Sequence, residues 1–251
     1  MSSTTTAAGA IPGIGHREAM ARADAEATRL LDVVDQLADD DWVRPTDCDG
    51  WDVKALLSHV LGAMEANARV REFVRQFAVA TKAAKRSGRP MIDEMTATQV
   101  RDHAPLLTVE IARRIREIAP KAVRGRRRMP APLRAMPFKP GPPIAGSWKL
   151  GYLVDIIMNR DYWMHRVDLT RATGKELVLT PEHDGRIVAD VVAEWARGHE
   201  QPFNLTLEGA AGGTFIQGTG GGDIRLDAIE FCRILSGRGP GSGLLDQEVP
   251  F

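Results

Sequence analysis

Apolar residues recur at helical spacing through the first two thirds of the chain and give way, after Gly174, to shorter strand-like runs. Met20, Ala27, Leu30, Leu31, Val34 and Leu37 line one side of a segment from about His16 to Ala38, which predicts a first helix. A second starts at Asp52, a residue suited to cap it, with Val53, Leu56, Leu57, Val60, Leu61 and Met64 on one stripe. It is expected to reach about Phe77, or to continue to about Lys85 before Gly88 and Pro90 stop it. A third spans about Thr98 to Ala119, with Leu107, Ile111, Ile115 and Ile118 on one side and a kink or start at Pro105. A fourth runs from about Trp148 to Ala172. Four amphipathic helices of this length predict a four-helix bundle, a fold that often holds metals between inward-facing carboxylates and imidazoles.

Beyond Gly174 the pattern changes. Thr180 and Pro181 read as the cap and first position of a helix striped by Ile187, Val188, Val191, Val192 and Trp195. Phe203 to Glu208 and Gly213 to Gln217 read as strands joined through Ala210 to Gly212, and Asp227 to Ser236 reads as a last helix. The expected organisation is therefore a disordered leader over residues 1–15, a mainly α four-helix bundle over 16–174 and a small α+β domain over 175–251.

Composition narrows the function classes. The 251 residues carry 33 basic and 33 acidic side chains, so the balance gives no general attraction to nucleic acid or an anionic membrane. Two distant cysteines, Cys48 and Cys232, form neither a disulfide framework nor a CxxC site. No window resembles a transmembrane span, and the Ser/Thr/Ala/Gly-rich start lacks the pattern of a signal peptide, so a cytoplasmic protein is expected. The glycine-rich stretch Gly209 to Gly222 lacks the Gly-Lys-Ser/Thr ending of a phosphate loop and reads as hairpin turns. The basic, proline-rich segment Lys121 to Pro143 reads as a solvated connection between helices, with an anion-attracting rim or a polyanion contact as alternatives.

The fourth helix carries the chemistry. On a wheel of roughly 100° per residue, Asp161 and His165 fall within about 20° of the line set by Val154, among Leu150, Ile157, Met158 and Ala172. A carboxylate on a buried stripe costs several kcal/mol, about the scale a bound cation can offset, and an imidazole one turn later supplies a second ligand. His59, at the edge of the second helix's stripe beside Ala55, Gly62, Ala63 and Ala66, has the clearance to reach a facing helix and completes a candidate set. Two alternatives stay open: a satisfied boundary histidine at 59, and an Asp161 paired with arginine. Two imidazoles and one carboxylate suit zinc or another divalent ion while leaving open positions. Cys48 carries no activating histidine or lysine pattern and reads as an inert, partly buried thiol. A thiol nucleophile would therefore come from outside the chain.

The run Thr46-Asp47-Cys48-Asp49-Gly50-Trp51-Asp52-Val53-Lys54-Ala55-Leu56-Leu57-Ser58-His59 resembles the start of the second helix in the mycothiol-dependent maleylpyruvate isomerase family, whose bundle belongs to the DinB-like group. Arg160 to Leu169, with Ala172-Thr173-Gly174, is similar to its last-helix motif, and Glu230 to Arg238 with Val249-Pro250-Phe251 resembles the sterol-carrier-like domain often fused to it. The resemblance covers most of the chain from about residue 16. It implies His59, Asp161 and His165 as ligands of a divalent metal, and mycothiol as the external thiol. The enzyme that names the family has glutamate at the acid position, so Asp161, one methylene shorter, would draw the metal toward the fourth helix or reach it through water.

The expected activity is thiol-dependent isomerisation of, or S-transfer to, a small electrophile, by a monomer or homodimer. Asp168, one turn past His165, is expected to orient an imidazole or cap an arginine. Arg233 and Arg238 are weaker candidates for a carboxylate of substrate or cofactor, against simple surface solvation. A non-catalytic protein of the same fold, binding a metal and an apolar ligand, is the competing expectation.

Overall fold

The computed structural model describes residues 5–139 and 146–251. Its elements are β1 (Thr5–Ala7), α1 (His16–Val34), α2 (Val53–Ala68), α3 (Val70–Ser87), α4 (Met91–His103), α5 (Thr108–Arg127) and α6 (Ala131–Arg134). They continue with β2 (Pro137–Phe138), β3 (Trp148–Lys149), α7 (Leu150–Tyr152), α8 (Met158–Thr173), α9 (Arg186–His199), β4 (Phe203–Glu208), β5 (Gly213–Gln217), β6 (Gly222–Asp227) and α10 (Ala228–Leu235). The chain divides into a helical unit, Gly15–Glu176, and a mixed unit formed by Met1–Ile14 with Leu177–Phe251. Among the described residues no helix is long and apolar enough to cross a membrane.

In the helical unit α1, α2, α5 and α8 pack around one core, while α3 and α4 lie outside it against α2. Leu30, Leu56, Leu57, Val60, Leu61, Ile111, Ile115 and Leu169 are fully buried in that core, each contributing about 1.5–3 kcal/mol by leaving water. Asp52 caps α2 by accepting from Ala55 N at 2.7 Å, as its position predicts.

Two expected helices are each two helices. The second ends at Ala68 and restarts at Val70, because Arg69 is extended at φ −140°. No glycine or proline marks the break; the Asn67 amide donates to Ala63 O and Tyr162 Oη, and the backbone carbonyl of Asn67 meets Gly125 of α5. The third splits into α4 and α5 at Ala104 to Leu107, around Pro105. The basic stretch from Lys121 to Arg127, expected as a solvated connection, instead forms the last turns of α5. There Arg126 is buried and donates through Nε and Nη2 to Val154 O and through Nη2 to Asn159 Oδ1. Pro140 to Pro143 of the same stretch lie outside the described residues.

The fourth expected helix starts at Leu150 rather than Trp148, because Trp148 and Lys149 pair with Phe138 and Pro137 as β3, and from there it is continuous but not regular. Between α7 and α8 the chain makes a π-turn, Leu153–Ile157, with Met158 N donating back to Leu153 O. The wheel that assumed one phase from Val154 to Asp161 is therefore broken, and α8 is buried on nearly every side rather than along a stripe. Asp161 sits at the edge of the core with its side chain 19% exposed, whereas His165 is 6% exposed.

In the mixed unit the sheet order is β1-β5-β4-β6. β4 and β5 form the expected hairpin, with Leu205 opposite Phe215, and β6 adds parallel to β4. β6 falls partly in the glycine-rich stretch read as turns. Thr180 accepts from His183 N at the start of the turn preceding α9, and Trp195 packs 4.7 Å from Phe203 and 5.3 Å from Phe231, ring to ring. The expected disordered leader is corrected for its described part: Thr5–Ala7 pairs parallel with β5, Thr5 opposite Thr214. Its Thr/Ala composition gives little signal, since pairing with a distant strand supplies the order.

Candidate metal centre

The loop before α2 sets one wall of the site. Trp51 N donates to Cys48 O at 3.0 Å across a turn with Gly50 at φ +73°, a conformation glycine adopts without strain. Thr46 N and Oγ1 both donate to Trp51 O at 2.9 Å, closing the loop. Cys48 and Trp51 are thereby held against α2 and α8. The Trp51 ring lies 5.3 Å from His59 and 6.4 Å from His165, centroid to centroid.

The structure brings His59, Asp161 and His165 together. His59 Nε2 is 3.7 Å from Asp161 Oδ2, His165 Nε2 is 3.2 Å from Asp161 Oδ1, and the two imidazoles are 5.0 Å apart between centroids. One ligand atom from each lies within 4.8 Å of the others. Asp161 Oδ2 is buried without a hydrogen-bond partner, an arrangement that costs about 1–3 kcal/mol unless something compensates it. Both Nε2 atoms and both carboxylate oxygens converge, so the donor set fits a divalent ion of the zinc type with ligand positions to spare.

Each imidazole is held from behind. His59 Nδ1 lies 2.8 Å from Gln99 Oε1 of α4, and His165 Nδ1 donates to Asp168 Oδ2 at 3.1 Å. Asp168 is fully buried, with its carboxylate placed against the His165 ring. Burial alone would raise the Asp161 carboxyl, but the charge and hydrogen bond of His165, with the His59 ring beside it, hold it well below the carboxylate range. Burial disfavours a charged His165 ring; Asp161 first, then Asp168 and Cys48, outweigh that and raise it well above the ordinary histidine value. A centre that concentrates enough negative potential to keep a proton on a buried ring is one where a divalent ion can take that proton's place.

Cys48, read as inert, adjoins the centre: its Sγ is 3.3 Å from Asp168 Oδ2 and 3.8 Å from His165 Nδ1. Trp51, Gln99 and Cys48 had no periodic signal to find them, since two lie in a loop and one on a helix whose start was misplaced. Arg233 and Arg238 belong to the mixed unit. Arg233 is buried rather than solvated, donating to Glu230 Oε2 at 2.5 Å and to Arg238 O at 3.3 Å.

A helical bundle with an inward His/Asp/His cluster, joined to a small sheet unit, defines a class of bundle proteins with a metal-type centre. The family "Mycothiol maleylpyruvate isomerase N-terminal domain" matches residues 23–170, and the chain belongs to it. Two solved structures share the fold: a mycothiol-dependent maleylpyruvate isomerase and a variant of it with one histidine replaced by alanine. Each is 14% identical over 94% of this chain and 93% of that one, with a TM-score of 0.58. No curated protein sequence matches the chain.

Proposed function

We propose that the chain is a metal-dependent enzyme that uses an external low-molecular-weight thiol of the mycothiol type to isomerise, or transfer sulfur to, a small electrophile. His59, Asp161 and His165 hold the divalent ion, zinc by the character of the donors. The observation that carries this reading is the convergence of the two Nε2 atoms on one carboxylate, 3.7 Å and 3.2 Å away, with Oδ2 otherwise unsatisfied. A divalent ion held there supplies the Lewis acidity that keeps a bound thiol deprotonated at neutral pH.

The chain's own groups do the rest. Asp168 keeps the His165 proton on Nδ1 and its Nε2 lone pair directed at the centre. Trp51, partly exposed beside both histidines, offers an apolar face that limits water around the reacting thiol. The family and the shared fold support mycothiol as the thiol and a maleylpyruvate-like unsaturated acid as a first substrate to try.

The test is metal analysis of the purified protein and of His59→Ala, followed by turnover of maleylpyruvate and of simple electrophiles with and without mycothiol. About one equivalent of metal in the wild type, its loss in His59→Ala, and thiol-dependent turnover are expected. Unchanged metal in the variant removes His59 from the centre. Metal binding without thiol-dependent turnover favours the non-catalytic binding protein.

A further inference from the structure

Behind His59 runs a chain of buried amides with a direction that can be read from its far end. Gln76 of α3 and Gln99 of α4 are almost wholly buried, at 0% and 4% exposure, on faces where apolar residues would cost less. Gln76 Nε2 lies 2.9 Å from Gly62 O and 2.9 Å from Glu72 Oε1. A backbone carbonyl and a carboxylate can only accept, and Arg75 holds that carboxylate through Nε and Nη2. The nitrogen of Gln76 must therefore face them, leaving Gln76 Oε1 to accept from Gln99 Nε2 at 2.9 Å. Gln99 Oε1 is then the atom 2.8 Å from His59 Nδ1. Flipping Gln76 would set oxygen against oxygen at one end and nitrogen against nitrogen at the other, and flipping Gln99 alone would set its oxygen against Gln76 Oε1.

We propose that Gln99, oriented by Gln76, is a positioning residue that keeps the His59 proton on Nδ1 and so presents the Nε2 lone pair toward Asp161. The assignment rests on the metal-centre reading above and adds the groups that set the ligand's tautomer. The packing is specific to it. A side chain at position 62 would begin 2.7 Å from Gln99 Cβ, so only glycine lets α4 come close enough for the amide to reach the ring. Three helices thus supply the ring, the acceptor and the group that orients the acceptor. A relay that merely fastened α2, α3 and α4 together would not need to end on an imidazole nitrogen.

The test has two arms. In metal-free protein labelled with ¹⁵N-histidine, spectra recorded over a pH series read the neutral tautomer of His59 directly. The Nδ1–H form is expected, and it is lost in Gln99→Met. Zinc affinity, measured by competition with a chromophoric chelator, is expected to fall about 10–100-fold in Gln99→Met. Gln99→Glu retains an acceptor for Nδ1–H and, although its second oxygen is set against Gln76 Oε1, is expected to keep the Nδ1–H tautomer. A wild-type His59 in the Nε2–H form, or a folded Gln99→Met with unchanged tautomer and zinc affinity, overturns the proposal. The wild-type spectrum needs no variant and decides the matter even if Gln99→Met does not fold. A wild type that shows the Nδ1–H tautomer but binds no zinc refutes the metal-centre reading and leaves the relay standing.

Discussion

Cys48 and His165 share one carboxylate oxygen: Asp168 Oδ2 lies 3.3 Å from the thiol sulfur and 3.1 Å from the ring Nδ1. Because Asp168 is fully buried, its charge is felt by both groups with little screening. Asp168→Asn keeps the shape and removes the charge, and is expected to lower zinc affinity about 10–100-fold. A chelator competition titration checks this, and an unchanged affinity would make Asp168 a packing residue only.

The same contact allows the source of the thiol to be tested. With the nucleophile supplied from outside, Cys48→Ala is expected to reduce thiol-dependent turnover by less than about tenfold, against several orders of magnitude for the loss of a nucleophile carried by the chain. Steady-state rates with saturating mycothiol decide between the two. Activity abolished in this variant, with metal content intact, would assign the attacking sulfur to Cys48.

Gly125 tests how closely the bundle is drawn together near the centre. A Cβ there would lie 2.1 Å from the backbone carbonyl oxygen of Asn67, which no side-chain movement can relieve. Gly125→Ala is expected to destabilise the folded state by about 1–3 kcal/mol or more, even though alanine is the better helix former. Denaturant midpoints measure the difference, and a more stable variant would show that α2 and α5 can separate at little cost.

His103 gives the helical unit a pH-dependent contribution. Burial disfavours its charged ring, but the Glu65 carboxylate 3.1 Å from Nε2 and the Gln99 carbonyl 2.7 Å from Nδ1 outweigh that and raise its pKa. A raised folded-state pKa means that the protonated ring stabilises the fold. The contribution is complete below the unfolded value of about 6.5 and disappears as pH rises through the raised folded value. Melting temperatures of wild type and His103→Gln should therefore differ most at about pH 6 and converge in alkali. A gap that widens with pH would contradict the sign.

Much of this arrangement was legible in the residues themselves. Stripes of Leu, Ile and Val locate α1, the start of α2 and the strongly apolar part of α5, because periodic burial leaves a periodic trace. The spacing of Asp161 and His165 places them one turn apart in any helix, so their closeness did not depend on knowing the π-turn upstream. The break at Arg69 left no such trace. Val70, Phe73, Val74 and Phe77 continue an apolar rhythm, yet Val70, Val74 and Phe77 are exposed while Gln76 and Ala80 turn inward. Periodicity reports that a helix has two faces without saying which one is covered. The buried charges and amides were hidden for a related reason: Arg126 and Gln99 are polar in composition and become interior only through partners supplied by other helices.

The pairing of Thr5–Ala7 with β5 has a consequence for the order of assembly during synthesis. Residues 15–176 form one compact unit from a single stretch of chain and can collapse once that stretch has left the ribosome. The first strand must wait until its neighbour some 209 positions later, Thr214 against Thr5, has emerged. Until then it is a tether of short, weakly apolar residues, and closure of the sheet over so long a loop is the step expected to finish last.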